Sequence, residues 1–404
     1  MTTAIGDSRR GSRSRARART GTRPAPASSG PAGDRGFVML VAIVLVMNLF
    51  GLVMVLSASS VTSLTDNGDS WSYFNRQLVW VALGTVAMVT TMNIDYRLWP
   101  RISWFVYGAV LALLVAVLAV GVNVNGSTRW IVAGPLRLQP SELAKIATVL
   151  AVATLLADRE HCLGDRRRSI HTTIVVMAPL MLLILAEPDL GTTLIIAMVA
   201  ATMLFAAGVP LRPLGGFAGL GLLAAGLLAR LAPYRYRRIV AFRDPWADPR
   251  GVGWQPLNSL AGLANGGSSG VGLGESRVKW GWLANSHTDF IYAIIGEELG
   301  LIGTMAVLAM VALIGFLGLR AAYRAPDLLG RMLATGVTMW LLVQAFVNIG
   351  GVVGLLPITG VTLPFVSFGG SSLLVTMAAT GILLNVARRG RPVVRARAVP
   401  ESHG

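Results

Sequence analysis

Apolar residues in this chain gather in blocks near the length of a bilayer crossing, from Phe37 to Ala387, instead of alternating with polar ones. Such blocks predict membrane-spanning helices, because a bilayer core takes about 20 apolar residues of helix. About ten spans are expected, at residues 37–56, 77–93, 102–120, 141–157, 171–186, 190–207, 213–231, 296–319, 332–350 and 371–387. Several are rich in Gly and Ala, "GGFAGLGLLAAGLLA" among them, which lets helix backbones meet closely in lipid. From Phe290 to Leu319 the helical pattern is almost unbroken and longer than a crossing needs, so this helix either tilts or lays its first turns along the interface. The expected fold class is all-α: a polytopic integral membrane protein with about ten transmembrane helices and a long extracytoplasmic loop, residues 232–289, between spans 7 and 8.

Composition agrees with this pattern, since 54% of the 404 residues are hydrophobic and 13% are charged. The net charge of +16 would suggest a nucleic-acid partner if it were concentrated on one surface, but it follows the spans. With the N-terminus cytoplasmic, the inside segments collect Arg9 to Arg35, Arg97, Arg101, Arg159 to Arg168, Arg212, Arg320 to Arg331 and Arg388 to Arg397, the positive-inside bias. Nucleic acid is therefore not an expected partner. Residues 1–36 are Arg, Ser, Pro and Gly with little to bury, and are expected to be a disordered basic cytoplasmic tail beside anionic lipid. They lack the short apolar stretch and small-residue cleavage site of a signal peptide. Residues 388–404 form a second basic cytoplasmic tail around the membrane domain, 37–387.

Candidate chemistry lies on the outer side. The loop carries Arg235, Arg237, Arg238, Arg243, Arg250, Arg277 and Lys279, which suits an anionic partner, and a glycine-crowded middle that also reads as a flexible connector. Its GxG spacing at Gly270 to Gly274 follows no strand and is not a dinucleotide fingerprint. Asp289 stands at the aqueous end of the eighth span, near Asn285, Ser286 and Thr288 as possible caps, and could itself be a cap. Glu297 and Glu298 lie two turns deeper, where charge is costly and usually faces protein; they are expected to hold helices together. Pro188 and Asp189 read as a turn with Asp189 capping the next helix. Glu142 and Lys145, three apart on one helix, could pair with each other or contact substrate. "LPFVSFGGSS" reads equally as an anion nest before Ser371 and as a tight loop packed against its neighbours. His287 and Asp289 are too close in sequence for a dyad on one substrate atom. One cysteine, Cys162, and four scattered His argue against a His/Cys metal cage.

Five motifs in order, "VNGSTRWIVAGPLRLQPSELAK", "EPDLGTT", "YRRIVAFRDPWADPRGVGWQPLNS", "HTDFIYAIIGEELGLIG" and "LLPITGVTLPFVSFGGSSLL", resemble the SEDS family, the FtsW and RodA proteins. The resemblance covers Phe37 to Ala387 and is closer to the FtsW, cell-division, branch, with the RodA, elongation, branch as alternative. It implies a glycosyltransferase that polymerises peptidoglycan from lipid II and undecaprenyl-pyrophosphate-linked glycan, with a lipid pyrophosphate as leaving group, at the outer face of the cytoplasmic membrane. It also implies a class B penicillin-binding transpeptidase and other divisome proteins as partners, enrichment at the septum, and either no cofactor or a divalent cation, Mg or Mn. The family's essential aspartate falls on Asp289, the expected general base. Arg129, Glu142, Lys145, Arg237, Arg238, Gln255, Ser259, His287 and Ser371 match motif positions and are the candidate substrate contacts. Departures stand at Ala284 and Asn285, where relatives read "LPEAH" for this chain's "LANSH", and at Asn258. A lipid II flippase and a non-catalytic scaffold are the competing functions; no internal repeat of the transporter kind is evident.

Overall fold

A computed structural model of the chain describes residues 31–124, 127–133, 136–159, 166–210, 212–213, 215–216, 219 and 240–390. Most of residues 1–36, most of the expected seventh span, Arg235, Arg237, Arg238 and most of the C-terminal tail lie outside the described residues. The first helix, α1, runs Pro31–Asn67 and so begins six residues before the expected span. It buries Leu40, Val44, Met47, Met54 and Ala58, a repeat of three and four, while Leu45, Leu49 and Val53 face outward, as lipid contact requires.

The remaining helices are α2 (Ser72–Asn93), α3 (Trp99–Val120), α4 (Pro140–Asp158), α5 (Arg166–Ala186), α6 (Leu190–Ala206), α7 (Trp254–Gly266), α8 (Ile291–Arg324), α9 (Leu328–Val352) and α10 (Gly370–Arg388). Seven described helices are long and apolar enough to cross a membrane: α1, α3 with the turn before it, α4, α5, α8, α9 and α10. α6, at 17 residues, is a shorter apolar helix. The chain is an all-α polytopic membrane protein. Helix α9 sits at the centre, packed on α4, α6, α8 and α10, and α2 lies along α10. Close approach of that pair uses small residues: a side chain at Gly381 would collide with Thr91 and the Met88 carbonyl, and Thr91 Oγ1 donates to Ala378 O at 2.8 Å.

Two features depart from the expectation. The segment after α3 is a small antiparallel sheet, β1 (Val122–Val124), β2 (Ser127–Ala133) and β3 (Leu136–Leu138), with Trp130 opposite Val122 and Ile131 opposite Leu138. Val122, Val124, Thr128, Ile131 and Val132 are β-branched and lie outside the apolar blocks, which favours strands there. The long loop is also structured: it holds α7, and Trp254 at the start of α7 stacks on Trp282 at 5.6 Å.

Helix α8 is not continuous. Gly300 has φ 64° and ψ −160°, separating a half-helix, 291–299, from the long segment, 301–324. A break leaves carbonyls and N–H groups without helical partners, which is costly at membrane depth. The glycine-rich loop supplies them: Val271 N donates to Glu297 O at 3.0 Å and Gly272 N to Glu298 O at 3.1 Å. On the other side of the break, Leu301 N donates to Gly267 O at 2.9 Å and Ile302 N to Ser268 O at 3.2 Å. Any side chain at Gly270 would overlap the Glu298 carbonyl, and one at Gly266 would overlap the Gly296 carbonyl, so the loop's glycines are demanded by this close approach.

Candidate active site

Asp289 is presented by a short segment pinned on both sides. Before it, Ser286 Oγ donates to Ala58 O of α1 at 3.1 Å, and Phe368 N donates to His287 O at 2.9 Å. The His287 ring lies against Tyr73, 4.7 Å between centroids, and Phe368, 5.5 Å. Burial pushes the imidazole down to about 4, so His287 is neutral, and it packs the segment rather than pairing with Asp289. Asn285 takes φ 59°, a left-handed conformation that Asn tolerates better than most residues, so the departure at "LANSH" sits on a turn that suits it. Helix capping takes a different form from the one expected: Phe290 holds the N-cap position with no side-chain cap, and Thr288 Oγ1 donates to Asn285 O at 3.2 Å.

Beyond Asp289 is a small, partly open recess between the start of α8, the end of α9 and the strap 358–361. Asp289 is half-buried and is the one ionisable residue among those lining it. Gly360, with φ 79°, comes close enough that a Cβ would lie 3.5 Å from Asp289 Oδ2. Asn348 of α9 donates through Nδ2 to Asp289 O at 2.8 Å and to Val361 O at 2.7 Å.

One turn earlier on α9, Gln344 joins this region to the Glu142–Lys145 pair. Glu142 and Lys145 do meet, at 2.7 Å, and both are buried. Lys145 Nζ also donates to Gln344 Oε1 at 2.8 Å, where Trp340 Nε1 adds a second bond at 2.7 Å. Gln344 Nε2 then donates to Thr362 O at 2.9 Å.

The turn between α5 and α6 closes another side. Asp189 caps α6, its Oδ1 accepting from Thr192 N at 3.1 Å, as the sequence predicts. Its Oδ2 accepts from Thr192 Oγ1 at 2.9 Å and, at 3.4 Å, from Gln139 and Ser141 at the start of α4. Arg129 of β2 donates to the carbonyls of Glu187, at 3.0 Å, and Pro188. Glu187 is fully buried with neither carboxyl oxygen hydrogen-bonded, and burial, with Asp189 adding to it, pushes its acid up to about 8. This turn touches the strap, since a side chain at Gly191 would press on Val361 and Thr359. Ser371, buried at the start of α10, accepts weakly from Gln139 N at 3.4 Å.

The deeper acids hold the loop. Glu297 Oε2 accepts from Ser276 Oγ at 2.5 Å and Val278 N at 3.2 Å. Glu298 pairs with Lys279 at 3.2 Å and accepts from Ser57 of α1 at 2.6 Å. Ser259 is buried and donates to Val352 O at 2.9 Å, joining α7 to α9, while Gln255 lies half-buried on the first turn of α7. Arg237 and Arg238 are outside the described residues. Asp289 and Asn348 share the recess, Gln344 continues it to Glu142 and Lys145, and Glu297, Glu298 and Ser259 sit in packing contacts instead. Sequence reasoning missed Trp340, Gln344 and Asn348, whose spacing of four on an apolar helix was the available signal. Among the described residues no three His, Cys, Asp or Glu side chains converge.

The sequence family described as "Cell cycle protein", covering FtsW, RodA and SpoVE, matches residues 37–391. Stage V sporulation protein E of Bacillus subtilis is 39% identical over 356 residues, 88% of this chain and 97% of that protein. A probable peptidoglycan glycosyltransferase FtsW of Geobacter metallireducens is 41% identical over 358 residues, 88% of this chain and 96% of that one. A solved structure described as structural coordination of polymerization and crosslinking by a peptidoglycan synthase complex aligns with TM-score 0.73 and 31% identity, covering 87% of this chain and 98% of that one. The rod shape determining protein RodA of Thermus thermophilus aligns with TM-score 0.63 and 29% identity over 91% of this chain and 99% of that one. Matched across its whole membrane region and nearly end to end with these relatives, the chain belongs to the FtsW/RodA/SpoVE family, the SEDS proteins that its motifs resemble.

Proposed function

We propose that this chain is a peptidoglycan glycosyltransferase that polymerises lipid II at the outer face of the cytoplasmic membrane, in septal wall synthesis, with Asp289 as general base. The observation that carries the reading is the half-exposed Asp289 carboxylate at the recess, in a family whose relatives are named for this activity. Chain growth forms a bond from a sugar hydroxyl oxygen to an anomeric carbon and breaks the bond from that carbon to the lipid diphosphate. Asp289 accepts the hydroxyl proton as the new bond forms, and the electron pair leaves with the diphosphate. Cations near the leaving group stabilise that charge. Arg129, Arg237 and Arg238 are the proposed contacts, while buried Lys145 acts through the field it shares with Glu142 and Gln344.

Orientation has support from the opposite end of the bundle. There Arg389 pairs with Asp95 at 2.6 Å and Arg97 with Asp327 at 3.3 Å, drawing together the α2–α3 connection, the α8–α9 connection and the end of α10. That arginine-rich end is the proposed cytoplasmic face, with both tails on it. A class B transpeptidase is the proposed partner, in line with the neighbour described as a complex coordinating polymerization and crosslinking. The flippase reading draws on the break in α8, but loop backbone fills that break instead of leaving its groups to a transported ligand. The test is glycan formation from lipid II by the purified chain with its transpeptidase in detergent, where no second compartment exists. Polymer is the expected result; its absence, with lipid II translocation in vesicles, would overturn the reading.

A further inference from the structure

Resting on Asp289 as the base, we infer that Asn348, supported by Gln344, is a positioning residue that fixes the base against the strap and at a set distance from the Glu142–Lys145 pair. The strap, 357–363, has no regular secondary structure, so its buried carbonyls need donors from elsewhere. Two amides one turn apart on α9 grip successive carbonyls of it: Asn348 takes Val361 O at 2.7 Å and Gln344 takes Thr362 O at 2.9 Å. Asn348 alone also reaches the carbonyl of Asp289, at 2.8 Å, so one side chain ties the base to the strap that faces it.

Each amide's orientation follows from its partners. Gln344 turns its oxygen to two donors, Lys145 and Trp340, which leaves its nitrogen for the strap. Asn348 uses only its nitrogen, and its buried oxygen has no hydrogen-bond partner, so the residue serves here as a pair of N–H donors. The result is a continuous polar line from Lys145 through Gln344 and the strap to Asn348 and Asp289, laid along one face of the most buried part of the bundle. Removing the Asn348 donors breaks this bridge between the Asp289 backbone and the strap without touching the Asp289 carboxyl. Displacement of a reacting group by about 1 Å is enough to slow chemistry on the order of 10²-fold while leaving substrate affinity largely intact.

The experiment measures polymerisation of fluorescent lipid II by the full chain, reconstituted with its transpeptidase, for native protein, Asn348→Ala, Asn348→Ser and Asp289→Asn, each with a thermal melt. Asn348→Ala is expected to lower kcat about 10²-fold with KM held within about twofold, and Asn348→Ser, which keeps one donor, to fall between it and native protein. If Asn348→Ala does not fold, the Ser variant is read by the same split of kcat from KM. Positioning is overturned if the folded variant keeps kcat within about threefold of native, or if its loss lies in KM. Native turnover by Asp289→Asn would instead overturn the base assignment, whereas an inactive Asp289→Asn beside a native-like Asn348→Ala sinks only the positioning role.

Discussion

Glu187 is buried between α5 and α6 with an acid group pushed from 4.5 up to about 8, by burial first and by Asp189 second. Arg129 opposes the shift, but its guanidinium bonds are to backbone carbonyls. Because the folded value lies above the unfolded one, folded protein keeps this proton between pH 4.5 and about 8 while unfolded chain has lost it. The stability it gives is complete below the lower value and is lost as pH rises through the upper one. Glu187→Gln is expected to remove that decline, flattening the melting temperature between pH 4.5 and about 8; an unchanged pH slope in thermal melts would contradict it. Local residue relations were legible in the sequence: Asp189 capping α6 and Glu142 pairing with Lys145 both follow from spacing of three. The state of Glu187 was not, because it depends on β2 and on burial by segments distant in the chain.

At the scale of elements, the apolar blocks located the described membrane-spanning helices, though not α7, because each buries or exposes whole faces of one continuous segment. They could not show the break in α8, since Gly300 sits within an apolar run and glycine is tolerated in membrane helices. What decides the break is a second segment thirty residues earlier, whose backbone replaces the missing helical bonds. The same splice explains why the loop is crowded with glycine, a feature that reads equally as a flexible connector from sequence alone. Gly270 tests this account: it holds φ 84° and any side chain there meets the Glu298 carbonyl. Gly270→Ala is expected to destabilise by about 2 kcal/mol or more, from the left-handed strain and the overlap together. A thermal melt equal to native protein would show that the loop does not need to lie so close to α8.

For the whole molecule, the two ends of the bundle have different chemistry. One end gathers arginines paired with Asp95 and Asp327; the other brings the α5–α6 turn, the strap and Asp289 together. The motifs that carry Asp189, Asp289 and the strap were readable in the sequence, and the described residues bring them together at the second end. The arrangement inside that end was not readable, because it is set by side chains of α9, such as Gln344 and Asn348, that no outer motif contains together. The most direct measurement of the central claim is glycan polymerisation from lipid II by reconstituted Asp289→Asn, compared with native protein at equal folded concentration and equal transpeptidase binding. No polymer above background is expected from this variant; polymer formed at the native rate would contradict Asp289 as the base.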